Sequence, residues 1–84
     1  MTKIDKLKIR LLSYPNDFTY SELTKLLLSF GYNEVQGTGS RVCFSRHNHK
    51  IKLHKPHPGN ILKSYQLDLV IEALESKGLI KKNQ

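Results

Sequence analysis

Four histidines, His47, His49, His54 and His57, fall within eleven residues that also carry Lys50, Lys52 and Lys55. Imidazole transfers protons near neutral pH and also ligates metals, so the cluster admits two chemistries. A metal site needs three or four converging ligands, and here no cysteine pair and no neighbouring carboxylate completes a set. Imidazoles on the surface of a basic hairpin are the better reading, and no metal or other cofactor is expected. Proton transfer is the chemistry left, and metal-free cleavage of RNA is one reaction that would use it. It takes a base for the ribose 2′-hydroxyl, an acid for the leaving oxygen, and a cation for the charge that develops on phosphate. His54 is the best placed of the four, since strand alternation sets it beside Lys52 and near Arg41 on the neighbouring strand, and His57 could reach the same surface from its loop. Taken singly, the plainer readings are a strand-end histidine covering backbone and a loop histidine held by a backbone hydrogen bond.

Charge points to the same segment. Residues 35–67 hold six Lys/Arg (Arg41, Arg46, Lys50, Lys52, Lys55 and Lys63), all four histidines and no acid, and so carry six of the seven net positive charges. Residues 1–34 balance five bases against four acids, and residues 68–84 balance three against three. Unbalanced positive charge attracts polyphosphate by releasing counterions, whereas balanced flanks add little at long range. A solvated basic face kept for solubility is the alternative. If the segment meets RNA, its expected contacts are Ser40, Arg41, Arg46, Lys50, Lys52 and Lys55.

These residues must be positioned by a small scaffold. Eighty-four residues suit one domain with a single modest core. A lone Cys43 excludes an internal disulfide and reads as a small buried filler. No stretch is long and apolar enough for a signal peptide or membrane span, which makes a cytoplasmic protein the simplest expectation. Ile4, Leu7, Leu11 and Leu12 recur at helical spacing and predict an N-terminal helix ending before Pro15. Thr19 and Glu22 have the spacing of a capping box, Phe18 and Leu23 that of a hydrophobic staple. A second helix follows through Leu26, Leu27 and Phe30 to a terminating Gly31.

From Tyr32 the period changes to two. A short strand around Val35 leads into a Gly37-Thr38-Gly39 turn, a second strand runs from Arg41 to Arg46, and His47-Asn48-His49 forms the next turn. A third strand runs from Lys50 to Lys55. Val42, Phe44, Ile51 and Leu53 would face inward, while Arg41, Cys43, Ser45, Lys50, Lys52 and His54 would face outward. Pro56 and Pro58 bracket His57 in an extended loop, Ser64 is a plausible N-cap, and Leu67, Val70, Ile71 and Leu74 stripe a last helix ended by Gly78. The prediction is an α+β fold, a three-stranded antiparallel sheet packed on helices in the order αβββα, with an extra N-terminal helix. That order is the one found in double-stranded-RNA-binding domains. Gly37, Gly39 and Ser40 have no following helix to complete an anion site, so they read as a hairpin turn. Tyr14, Tyr20, Tyr32 and Tyr65 are not spaced as a base-stacking platform.

The Leu-rich run ending in Phe30-Gly31-Tyr32, then Gly39-Ser40, the strand Ile51-Lys52-Leu53, the loop Pro56-His57-Pro58-Gly59 and the closing Gly78-Leu79 together resemble the HicA toxins of bacterial type II toxin-antitoxin pairs. The resemblance spans residues 19–79, with residues 1–15 as a helical extension of a single domain covering 1–84. It implies a double-stranded-RNA-binding-like fold, a metal-independent, ribosome-independent ribonuclease acting on mRNA, and inhibition by a HicB-like antitoxin. The family's catalytic histidine directly follows Gly-Ser, and in this chain Arg41 follows Ser40. A guanidinium stays protonated and cannot act as a base, but it can clamp phosphate. Either His54 or His57 therefore takes over proton transfer, or the protein binds RNA or its antitoxin without cutting.

Overall fold

The computed structural model describes residues 2–56 and 59–80. It orders them as α1 (Lys3–Leu12), α2 (Tyr20–Ser29), β1 (Asn33–Gln36), β2 (Arg41–Arg46), β3 (His49–His54) and α3 (Ser64–Ser76). His57 and Pro58 lie outside the described residues, and with them the loop expected there.

Local chemistry sets the helix ends. Thr19 Oγ1 accepts the Glu22 N–H at 3.1 Å while the Glu22 carboxylate accepts the Thr19 N–H at 3.0 Å, the reciprocal capping predicted for α2. Thr2 and Asp5 repeat the arrangement at the start of α1. α2 ends where Gly31 takes φ 93°, letting the Tyr32 N–H reach back to the Leu27 carbonyl at 3.1 Å. α3 closes by the same geometry, from Leu79 to Leu74. Its start differs from the expectation. The N-cap is Lys63, not Ser64, and its N–H is taken by the side-chain oxygen of Gln66 at 3.0 Å. Gln66 is buried and its amide nitrogen also donates to the His54 carbonyl at 2.9 Å, so a tertiary bond to the sheet decides where this helix begins.

The sheet is antiparallel in the order β1-β2-β3. Val42, Phe44, Ile51 and Leu53 are buried on one face, beneath Leu23, Leu26 and Leu27 of α2 and Leu67, Val70, Ile71 and Leu74 of α3. Fully burying each such side chain contributes roughly 1.5 to 3 kcal/mol, so this layer is the main source of stability. α1 packs on both α2 and α3 through Leu11, with Ile4 and Leu7 at the margin. Arg10 of α1 fixes it further by donating to both Glu22 oxygens at 2.9 and 3.0 Å and to Asp17 at 3.2 Å. The segment before α3 pairs with the segment before α2, the Tyr20 N–H meeting the Asn60 carbonyl at 2.8 Å and the Leu62 N–H meeting the Phe18 carbonyl at 2.9 Å.

The third strand begins at His49, one residue earlier than predicted, because the hairpin turn is His47-Asn48 alone. His47 takes the left-handed conformation, φ 53°, that Asn48 was expected to supply. Histidine tolerates that region better than most residues. Among the described residues no helix is long and apolar enough to cross a membrane. Three helices and a three-stranded antiparallel sheet make an α+β fold, and beyond α1 its order is that of the double-stranded-RNA-binding-like class.

Candidate functional site

Helices cover one face of the sheet and leave the other bare. Cross-strand partners share a face, so the register puts Asn33, Ser45 and Lys50 in one outer row, Val35, Cys43 and Lys52 in the next, and Arg41 with His54 in the last. The pairing pattern sharpens the last row. The Lys55 N–H donates to the Ser40 carbonyl at 2.8 Å, which makes Ser40 and Lys55 a hydrogen-bonded pair. Such pairs alternate with open ones, so Arg41 and His54 form an open pair, the kind whose Cα atoms stand about 4.5 Å apart with side chains closest.

Two further features hold this end of the site. The Gln66 amide anchors the His54 carbonyl from beneath, fixing the strand end that carries the imidazole. On the other flank the Gly37 N–H donates to the Arg41 carbonyl at 2.9 Å, and a Cβ on Gly37 would lie 3.2 Å from Arg41 Cβ. Any side chain there would crowd Arg41, so glycine keeps the flank open. The result is a depression of about 390 Å³ lined by Val35, Gly37, Arg41, Cys43, Lys52 and His54, among others.

The electrostatics are one-sided. Arg41, Lys50, Lys52 and His54 are exposed, and the rows above contain no carboxylate. Glu34, the acid nearest in sequence, points by strand alternation to the helix side, where it accepts the Tyr20 hydroxyl. Burial, reinforced by that carboxylate, pushes the Tyr20 phenol well above its ordinary range, so it stays a donor. Cys43 sits half-buried mid-face with a free thiol.

The predicted contact residues do not all share this face. Arg41, Lys50 and Lys52 do, together with His54. Ser40, the cross-strand partner of Lys55, falls by alternation on the opposite side from Arg41. Lys55 lies on the helix side with its ammonium 6.0 Å from the centre of the Tyr20 ring, and Arg46 also lies on that side, its guanidinium stem against Gly31. Alternation from Phe44 and Leu53 was enough to assign both. His57 lies outside the described residues. His47 is at the exposed hairpin tip, and His49 turns toward the helices, where its Nδ1 is 2.6 Å from the hydroxyl of the buried Tyr32. The three described histidines therefore do not converge, and among the described residues no three His, Cys, Asp or Glu side chains group as metal ligands would. Sequence reasoning missed Gln66, whose only signal was a polar residue inside an apolar helical stripe.

The fold is thus of the double-stranded-RNA-binding-like class, with a helix-free sheet face that carries Arg41, Lys50, Lys52 and His54. Residues 20–81 match the family described as HicA toxin of bacterial toxin-antitoxin, and the chain belongs to that family. It is thus the toxin half of a pair, which implies a cognate antitoxin. No curated protein and no solved structure matches it.

Proposed function

We propose that the open face of the sheet binds mRNA in the cytoplasm and cleaves it without a metal, under the control of a HicB-like antitoxin. The observation that carries this reading is the open cross-strand pair of Arg41 and His54, set on a helix-free face with Lys50 and Lys52 and no opposing acid. In this reading the cations seat the phosphates and His54 takes the proton from a ribose 2′-hydroxyl. The freed oxygen attacks the adjacent phosphorus, its bond to phosphorus forms as the bond to the 5′-oxygen breaks, and the Arg41 guanidinium stabilises the charge on the phosphate oxygens. His57 supplies the proton to the departing 5′-oxygen. Arginine in the place of the family's histidine favours a second reading, an RNA-binding protein that does not cut.

One assay separates the two readings. Purified protein is incubated with end-labelled mRNA in the presence of chelator, beside His54→Ala and Arg41→His. Cleavage by the wild type that falls about 10²- to 10⁴-fold in His54→Ala supports His54 as the proton-transfer group. Undiminished cleavage in that variant removes it from the mechanism. Bound but intact RNA supports the second reading, and Arg41→His, which sets two imidazoles face to face, is then expected to gain cleavage.

A further inference from the structure

The opposite end of the sheet carries a second cationic cavity that the open face does not use. Arg46, His47, Asn48, His49 and Lys77 line a depression of about 240 Å³ between the hairpin tip and the C-terminal end of α3. It lies on the helix side of the sheet, five residues along the strands from the Arg41 and His54 row and so roughly 17 Å from it.

The cavity brings two cations and an imidazole together. Tyr32 is buried, burial pushes its phenol above its ordinary pKa, and its hydroxyl shares a hydrogen bond of 2.6 Å with His49 Nδ1. With Nδ1 engaged by Tyr32, Nε2 is the ring nitrogen left to meet a ligand. Partial burial, then the charges of Lys77 and Arg46, press His49 below the ordinary histidine pKa. The Arg46 stem lies alongside Gly31, where even an added Cβ would stand 3.5 Å from Nε. Neither Arg46 nor Lys77 forms an ion pair with a described residue. A guanidinium, an ammonium and an imidazole around one hollow can serve as the donor set of a tetrahedral oxyanion.

We propose that this hairpin-tip cavity is a second phosphate site, which takes a backbone phosphodiester of the same RNA strand that lies on the open face. The inference rests on the RNA reading above for its ligand, and on the cavity's own chemistry for its existence. Lys50 and the exposed tip link the two sites, so the strand would run along the sheet past Lys52 and Lys50 and turn over His47 into the cavity. A carboxylate from an acidic partner protein is the competing occupant.

Two titrations of the full chain test this. Inorganic phosphate is added at constant ionic strength while the His49 ring and the Lys77 amide are followed by NMR. Saturable shifts that disappear in Lys77→Gln are expected, and unmoved signals would overturn the site. RNA affinity is then measured against salt for wild type, Lys77→Gln and Arg46→Gln/Lys77→Gln. Each lost cation is expected to lower the slope of log K by about 0.7 to 0.9. Wild-type binding with a normal salt slope that both variants leave unchanged overturns the second site but leaves the open face standing. No RNA binding by the wild type, with phosphate still shifting His49, overturns the RNA assignment at both places. Weakened binding to the antitoxin with an unchanged RNA slope assigns the cavity to carboxylates and overturns the phosphodiester.

Discussion

Replacing Lys50 and Lys52 together by glutamine tests most directly whether phosphates meet the open face. Both side chains are exposed and point away from the core, so the change subtracts two charges and little else. The face holds three permanent cations, Arg41, Lys50 and Lys52, which sets a slope of log K against log salt of about −2.1 for single-stranded and −2.7 for duplex RNA. The hairpin-tip cations would add to that total, but the difference between wild type and variant does not depend on them. It is about 1.4 to 1.8 in slope. Raising salt from about 50 to about 200 mM should therefore shrink the wild-type affinity advantage by about 7- to 12-fold. Fluorescence anisotropy with a labelled RNA across a salt series measures it, and a denaturation midpoint within about 0.5 kcal/mol of wild type shows that the fold is unchanged. Equal slopes in the two proteins would refute the placement of phosphates on this face.

Stability should respond at two other places. Glu22→Ala removes both the return bond of the α2 cap and the two-point acceptor for Arg10, a part-buried pair, and is expected to cost about 1 to 2 kcal/mol in urea unfolding; a loss under about 0.5 kcal/mol would contradict the pairing. His49 has a folded pKa below its unfolded value of about 6.5, so the unfolded chain takes up the proton first, and the stability it contributes is full above that pH and lost as pH falls through the folded value. The urea midpoint of the wild type should therefore drop more between about pH 7.5 and about pH 5 than that of His49→Gln, and identical drops would show that His49 is not desolvated as described.

What was legible in the sequence was local. Thr19 with Glu22 and Phe18 with Leu23 are within five residues of one another, and both the capping box and the burial of the staple residues follow from their types alone. Alternation in Val42-Cys43-Phe44 and Ile51-Lys52-Leu53 likewise exposed the two faces before any coordinates. The register was harder, because it hangs on which turn residue takes a left-handed backbone. Asparagine is the usual candidate, but His47 takes that role, shortening the turn and starting β3 at His49. The contact between Tyr32 and His49 spans seventeen residues and depends on that register, and the bond from Gln66 to His54 spans twelve. Neither leaves a periodic signature. Ser64 failed as a cap for the same reason, since the helix start is settled by where Gln66 is needed in the tertiary structure.

Gln66 has a consequence for motion as well as position. Its oxygen holds the Lys63 N–H at the first turn of α3, and its nitrogen holds the carbonyl of His54 at the end of β3. One buried amide thus spans two elements, and neither can fray without leaving a buried polar group unpaired. Local opening on the way to hydrogen exchange should therefore be shared, with the first turn of α3 and the last residues of β3 exchanging as one cooperative unit. Gln66→Glu, which sets an acceptor against the His54 carbonyl, would uncouple them. The strand end that presents the imidazole would then open on its own clock, faster than the middle of the sheet.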